Sequence, residues 1–324
     1  MKRVLLIVWS GTGNTLKVAE LIRDSFRVRG CGAEIIDCTG VSGPAGTGGI
    51  AGAVKSAVEA ADIIGLGYPV YAFNVPLPFL RYVKALGLED KPVFIFKSSG
   101  EPTFPNNASS HSLIKLLRPS PRPPLQRSPK PPPKLPPRRR TILGDYHFLM
   151  PYNIMFRFPD NLIKQMYLAA KTRSGILADN VIAGKTSFIK YSLPQRLIAW
   201  VFRIQRPGAR LNGRLYGVRR DRCTLCLRCL RDCPAGNITM VKGRFRFGWN
   251  CMMCMRCSLY CPADALSIGL LNLWRVNGAF RFEALEKDKT LDGRFITGRT
   301  RGLYRIYIPW FGSAAQDGSS GASP

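Results

Sequence analysis

Short apolar runs alternate with helically spaced segments along the N-terminal half of the chain. Val4–Trp9 is continuously apolar, as expected for a strand buried on both faces of a parallel sheet. A pattern with helical period follows to about Phe26, carried by Leu16, Val18, Ala19, Leu21, Ile22 and Phe26. Ala33–Cys38 reads as a second strand and Asp62–Pro69 as a third. Between them, a flexible Gly-rich loop is expected over Thr39–Gly52 and a short helix over Val54–Ala61. Pro78–Leu86 predicts a helix, Lys91–Lys97 a fourth strand, and 102–117 a helix poorly formed at its start. Ile142–Met150 predicts a fifth strand, and a last helix runs from Asp160, its N-cap, to about Thr172. Strands alternating with helices mean an α/β unit, a doubly wound parallel sheet, over 1–184.

The pattern then changes character. Pro119–Pro137 holds ten prolines in nineteen residues, followed by Arg138-Arg139-Arg140, so 119–140 reads as a disordered Pro/Arg-rich insertion. Its Pro133-Lys-Leu-Pro136-Pro137-Arg138 matches an SH3-ligand pattern that such tracts produce readily by chance. Residues 185–215 form a basic linker in which Ser192–Ile204 is a short amphipathic helix ending before Pro207-Gly208. Such a helix could lie on an anionic membrane; docking one unit on the other is the plainer expectation. Beyond 270 lies a C-terminal extension, in which Phe280–Phe282 and Leu303–Phe311 alternate like short strands and 313–324 reads as a disordered tail.

Cysteine spacing carries the strongest chemical signal. Cys223, Cys226, Cys229 and Cys233-Pro234 recur as Cys251, Cys254, Cys257 and Cys261-Pro262, each run C-x2-C-x2-C-x3-C-P. This spacing holds [4Fe–4S] clusters, and the fourth Cys of each run ligates the other run's cluster. Cys223, Cys226, Cys229 and Cys261 are assigned to one cluster; Cys251, Cys254, Cys257 and Cys233 to the other. Three thiolates two residues apart let one tight loop wrap three corners of a cubane, and the fourth Cys is expected to open a short helix crossing to the second cube. A zinc ribbon needs only two C-x2-C pairs, and a disulfide framework belongs to a small secreted domain. The remaining Cys31 and Cys38 read as buried small hydrophobes. Residues 216–270 resemble bacterial two-cluster ferredoxins, a small α+β domain.

After the first strand comes Ser10-Gly11-Thr12-Gly13-Asn14-Thr15, hydroxyls and glycines leading into a helix. It lacks the Lys of a triphosphate P-loop, but backbone N–H groups, hydroxyls and a helix N-terminus can hold a monophosphate. The loop resembles the FMN phosphate loop of flavodoxins, [ST]-x-T-G-x-T. The next two strand ends carry Pro69-Val70-Tyr71-Ala72-Phe73-Asn74 and Ser98-Ser99-Gly100. In a doubly wound sheet these loops converge at the switch point, so they would flank the isoalloxazine, with Tyr71 or Phe73 stacking on it. Gly46-Thr-Gly48-Gly49-Ile-Ala51 formally fits a dinucleotide fingerprint, but stands too far from its strand and lacks the acid that should follow.

A flavodoxin-like half followed by a two-cluster ferredoxin half resembles the flavodoxin–ferredoxin fusion proteins of anaerobic bacteria and archaea. Asp145–Asn153 also resembles that family's segment after the fifth strand, and the proline tract departs from its pattern. The resemblance implies FMN, two [4Fe–4S] clusters and electron transfer between them, and leaves the substrate unknown.

At 324 residues the chain predicts two or three domains by length alone. Its net charge is +28, yet no nucleic-acid module accompanies it. The charge points instead to an acidic redox partner protein or peripheral contact with an anionic membrane. Ten Lys/Arg between Arg214 and Cys261, against Asp221, Asp232 and the nearby Asp264, should favour reduced, more negative clusters. Thiolate ligands need a reducing compartment, so a cytoplasmic protein is expected. Met1–Trp9 imitates a signal peptide, but Ser-Gly-Thr-Gly follows it rather than a cleavage site. Three functions compete: an electron carrier, a flavin-dependent reductase of a small molecule such as a quinone, and a basic binding protein with structural clusters. No His, Cys or carboxylate cluster beside the flavin loops suggests a proton donor, and His111 and His147 read as structural.

Overall fold

The computed structural model describes residues 1–40, 47–88, 91–102, 104–118 and 141–312. Five strands, β1 (Arg3–Val8), β2 (Gly32–Asp37), β3 (Ile63–Pro69), β4 (Val93–Ser99) and β5 (Ile142–Leu149), form one parallel sheet in the order β2-β1-β3-β4-β5. This is the flavodoxin-like doubly wound order, with its switch point between β1 and β3. Alternation along β1 sorts the core. Val4, Leu6 and Val8 join the layer under α1 (Asn14–Val28) and α5 (Asp160–Ile182). Leu5 and Ile7, with Trp9, join the layer under α2 (Thr47–Ala60), α3 (Leu77–Leu86) and α4 (His111–Leu117). Cys31 and Cys38 are buried and unpaired.

Several boundaries differ from expectation. The segment read as a loop to Gly52 is helical from Thr47, while 41–46 lie outside the described residues. A 3-10 turn, Phe104–Ser110, leads into α4, the poorly formed start that was expected. Asp160 stands in the first turn of α5 after the N-cap Pro159, and α5 runs ten residues past Thr172 to Ile182. Leu177, Ala178 and Val181 continue its buried stripe, so Gly175 does not end it; Gly184, at φ 67°, does. The 119–140 insertion and the 313–324 tail lie outside the described residues.

The linker is two helices, α6 (Leu193–Val201) and α7 (Gln205–Arg214), joined by a 3-10 turn at Phe202–Ile204. Ser192 and Gln195 close a capping box on α6. Helix continues through Pro207 because this residue lies in the first turn of α7, where no N–H is required.

The second unit is small. Strand β6 (Tyr216–Val218) pairs antiparallel with β9 (Leu266–Ile268), and β7 (Ile238–Val241) with β8 (Arg244–Phe247). One-turn helices α8 (Arg228–Arg231) and α9 (Arg256–Leu259) carry the third Cys of each run. Its buried core is Tyr216, Ile238, Phe247, Met255, Leu266 and Ile268.

The extension contains no strand among its described residues. Phe282–Lys287 is helix α10, Gly302–Tyr307 a 3-10 turn and Ile308–Gly312 helix α11. The alternating aromatics dock on the first unit instead of pairing: Phe282 stacks on Tyr167 at 5.4 Å, and Tyr304 and Tyr307 pack on Phe158. Lys17–Glu283 and bonds from Lys164 to the carbonyls of Asp288 and Leu291 fasten the strap.

Candidate electron-transfer site

The two cysteine runs fold alike. In each, the residues flanking the second Cys take left-handed conformations: Leu225 and Leu227 at φ 54° and 57°, Met253 and Met255 at 53° and 63°. An L-residue pays about 1–2 kcal/mol for this, and the result is a backbone wrapped round a central space. The short helices come before the fourth Cys, not after it as expected. They start at the left-handed residue, and the fourth Cys then heads a turn, where Gly236 N–H donates to the Cys233 carbonyl at 3.0 Å. Matching amides point at the two fourth sulfurs: Asn237 N–H to Cys233 Sγ at 3.3 Å and Ala265 N–H to Cys261 Sγ at 3.2 Å.

The fold gathers the eight thiols into two sets. Cys233 lies with Cys251, Cys254 and Cys257 round one small hollow, which Tyr216, Ile238, Phe247 and Met255 also line. Cys229 has Cys261, Cys223 and Cys226 as its thiol neighbours. Among the described residues no three such side chains converge on a single metal ion, and a cubane takes a wider ligand set. Burial pushes the Cys254 thiol up to about 12 and the Cys229 thiol up to about 11. Both are protonated near neutral pH, so binding of metal there would release protons. The sets differ in exposure: Cys226 is open to solvent, whereas Cys254 is buried. One is therefore an outer site and the other an inner site.

The loop after β1 forms an anion cradle. Among the described residues, the backbone N–H groups of Gly11, Thr12, Gly13, Asn14 and Thr15 have no protein acceptor. They surround the N-terminus of α1, where the helix dipole adds positive potential. Ser10 Oγ accepts from Leu16 N–H at 3.2 Å, and Thr15 Oγ1 shares a hydrogen bond with Ser98 Oγ at 2.7 Å. Three buried polar atoms at this end of the sheet lack partners: Trp9 Nε1, Asn14 Oδ1 and Tyr71 Oη. Burial, then the neighbouring Cys254, holds the Tyr71 phenol well above its ordinary value.

The inner site sits directly on this loop. A methyl group on Gly11 would lie 2.8 Å from Cys254 Cβ and 2.3 Å from Tyr71 Oη, so only glycine fits. Gly13, at φ 88°, has Tyr260 Oη 2.9 Å from the same probe position. Arg256 donates to the Gly11 carbonyl at 3.0 Å and Tyr260 to the Thr12 carbonyl at 2.9 Å. Asn153 donates to the Cys254 carbonyl at 3.1 Å and to Thr12 Oγ1 at 3.3 Å.

The other predicted flavin residues are less uniformly placed. Tyr71 packs edge-on against Trp9 at 5.7 Å and faces the cradle. Tyr71 and Asn74 close a tight turn, with Ala72 and Phe73 at positive φ, after Pro69 and Val70. Phe73 points instead to Phe202 at 4.7 Å, and Asn74 is held by the Ala199 carbonyl and Arg203. Ser98 reaches the cradle through Thr15, but Ser99 bonds His147, and Gly100 lies beneath the Tyr152 ring with its carbonyl accepting from the Tyr307 hydroxyl at 2.6 Å. His111 pairs with Tyr191 away from the cradle. Asn153, Arg256 and Tyr260 were not anticipated. Tyr260 stands where the first run has Asp232, one of several differences between the two runs, so the repeat does not single it out.

Known proteins match each half. The family of 4Fe-4S dicluster domains matches residues 216–262. No curated protein matches the chain. Among solved structures, a flavodoxin from the domain Archaea is 13% identical, with 56% of this chain and 99% of that one covered at a TM-score of 0.34. Azoreductase from Bacillus anthracis is 12% identical, covering 55% and 99% at 0.36. Rubredoxin oxygen:oxidoreductase from Desulfovibrio gigas is 16% identical, covering 57% of this chain at 0.35; only 37% of the oxidoreductase's length is spanned. The sheet order itself assigns the first unit, and the cysteine runs with the matched family assign the second. The chain has the architecture of a flavodoxin–ferredoxin fusion, a flavodoxin-like unit joined to a 4Fe-4S dicluster domain.

Proposed function

We propose that the chain is an electron-transfer protein in which FMN at the cradle exchanges electrons with two [4Fe–4S] clusters. The observation that carries this is the seating of the Cys254 loop on Gly11 and Thr12. The residues present fit both groups: five amides without acceptors and an unpaired buried phenol suit a phosphate monoester, and two sets of four thiols suit cubanes. Bound there, FMN would interconvert two-electron and one-electron transfer, and the clusters would carry electrons singly.

The chain's own part is placement and shielding. Gly11–Thr15 would hold the phosphate, with Asn14 fixed by its bond to the Pro151 carbonyl at 2.7 Å. Arg256 and Tyr260 lock the inner site to the loop and keep water from the space between. A carrier is favoured over a small-molecule reductase because Ala199, Phe202 and Arg203 cover the turn after β3. The outer site meets the partner. Arg219, Arg222, Arg228 and Arg231 surround it against Asp221, Asp232 and Asp264, a surface suited to an acidic redox protein, with affinity falling as salt rises.

Anaerobic visible spectroscopy with iron, sulfide and flavin analysis tests the cofactor set. The expected result is about eight iron atoms and one FMN per chain. Iron without flavin would reduce the first unit to a docking domain, and flavin without iron would sink the proposal.

A further inference from the structure

The helices that join the two units are amphipathic in the inverted sense. In α6 the residues turned to the protein are Gln195 and Ala199, 7% and 6% exposed. The large apolar residues face solvent: Leu193 is 71% exposed, Trp200 61% and Ile204 73%, with Leu197 and Val201 beside them. Their spacing, i, i+4, i+7, i+8 and i+11, makes one stripe along one face. Helix α7 repeats the inversion, burying Ala209, Asn212 and Gly213 while Leu211 and Leu215 stay exposed. A 3-10 turn at Gly269–Trp274 abuts α7, where Leu270 N–H donates to Asn212 Oδ1 at 2.9 Å. It adds exposed Leu270, Leu273 and Trp274. Scattered apolar residues on a surface need no explanation, but a stripe continued over three adjoining elements marks an interaction site.

The charges say what covers it. From Lys185 to Arg220 the sequence contains no Asp or Glu. Among the described residues no carboxylate pairs with Arg196, Arg206 or Arg210, which lie on the same two helices. A second copy of the chain would bring another +28 and the same uncompensated guanidinium groups, so self-association is opposed. Aliphatic side chains, exposed Trp and flanking Arg are together what an interfacial helix presents to acidic headgroups.

We propose that α6, α7 and the Gly269–Trp274 turn form a docking face for an anionic lipid bilayer, with the stripe sunk to headgroup depth. This face backs onto the inner thiol set: a methyl group on Gly213 of α7 would lie 2.1 Å from Cys251 Cβ. Docking therefore sets the redox centre against the membrane surface and leaves the orientation of the outer site to the rest of the fold. The proposal does not depend on FMN.

The test is sedimentation of the anaerobically prepared full chain with phosphatidylcholine vesicles, with and without phosphatidylglycerol. The chain should sediment with the anionic vesicles and not with the neutral ones. Leu197→Glu/Trp200→Glu/Ile204→Glu should weaken partition by more than about tenfold, its visible spectrum reporting that the clusters are still held. Arg196→Gln/Arg206→Gln/Arg210→Gln should remove most of the salt-sensitive part. In an otherwise unchanged chain, brominated anionic lipid should quench tryptophan fluorescence, and Trp200→Phe should lose much of that quenching. If the triple Glu variant sediments like the parent, diffuse charge is adsorbing and the docking face is refuted. Absence of binding to anionic vesicles overturns it equally, and leaves an acidic protein as the occupant.

Discussion

The two units are held together by different physics. The flavodoxin-like unit carries two apolar layers on its sheet, with Trp9, Phe26, Phe79, Phe94, Phe96, Phe148 and Phe158 fully buried. Burying one such side chain contributes about 1.5–3 kcal/mol, so this unit can fold on burial alone. The dicluster unit has Tyr216, Ile238, Phe247, Met255, Leu266 and Ile268, two short strand pairs and, among its described residues, six left-handed non-glycine residues working against it. Its thiols must supply what its core cannot. The joint between the units, where Cys254 meets Gly11, should therefore connect a region stable by itself to one stable only when loaded.

The largest effect should come from removing the chemistry that holds the weaker side. Cys254→Ser deletes an inner-site thiol, and about half the iron should be lost. Structural metal sites contribute on the order of 10 kcal/mol to small domains, so β6–β9 should loosen while β1–β5 remain folded. Iron analysis and amide hydrogen exchange check this: exchange across β6–β9 should accelerate, with the β1 and β3 amides still protected. A dicluster unit that kept its protection without metal would erase the contrast between the units.

The stronger side has its own exception. Lys97 and Asp145 are buried in the sheet, 2.9 Å apart. Ser110 Oγ donates to Asp145 Oδ1 at 2.9 Å, and the Tyr68 hydroxyl lies 2.7 Å from Ser110 Oγ. Burial pushes the Lys97 ammonium down, and Asp145 opposes the shift. Asp145→Ala leaves that group without its counter-charge and should cost about 3–5 kcal/mol. Lys97→Met/Asp145→Leu should recover most of the loss, since an apolar pair suits a unit built on burial. Urea denaturation of both variants decides it: equal losses would mean that the ion pair, and not burial, organises this layer.

The same contrast governs how much the sequence discloses. Continuous runs such as Val4–Trp9 and Lys91–Lys97 reveal the strands because a sheet buried on both faces demands them. Cysteine spacing reveals the cluster ligands because cubane geometry demands it. Nothing comparable marks Arg256, Tyr260 and Asn153, whose partners lie more than a hundred positions away. The stripe of α6 was visible as amphipathic, but which face would be buried depended on how the helix packs on the Phe104–Ser110 turn. The alternating aromatics of 303–311 imitate a strand because rings packed on Phe158 also recur at short intervals.

The smallest effect separates the units by pH. His147 is buried on β5, with its Nε2 2.7 Å from Ser99 Oγ and its ring 5.0 Å from that of Trp310. Burial first, and then the charges of Lys97 and Arg173, hold it well below the usual imidazole range. The unfolded chain takes up a proton at this residue near its ordinary value of about 6.5, whereas the folded chain does not. Stability from this source is therefore complete above that value and declines as pH falls towards the folded-state value. Between pH 7.5 and 5.5 the loss should be about 1.4 kcal/mol. His147→Gln can keep a bond to Ser99 and has no proton to gain, so its unfolding free energy should fall less over the same interval by about that amount. Urea unfolding of the flavodoxin-like unit at the two pH values measures the difference. Equal slopes for the two proteins would show that His147 accepts its proton within the folded sheet, and that this core admits charge as readily as the cluster unit does.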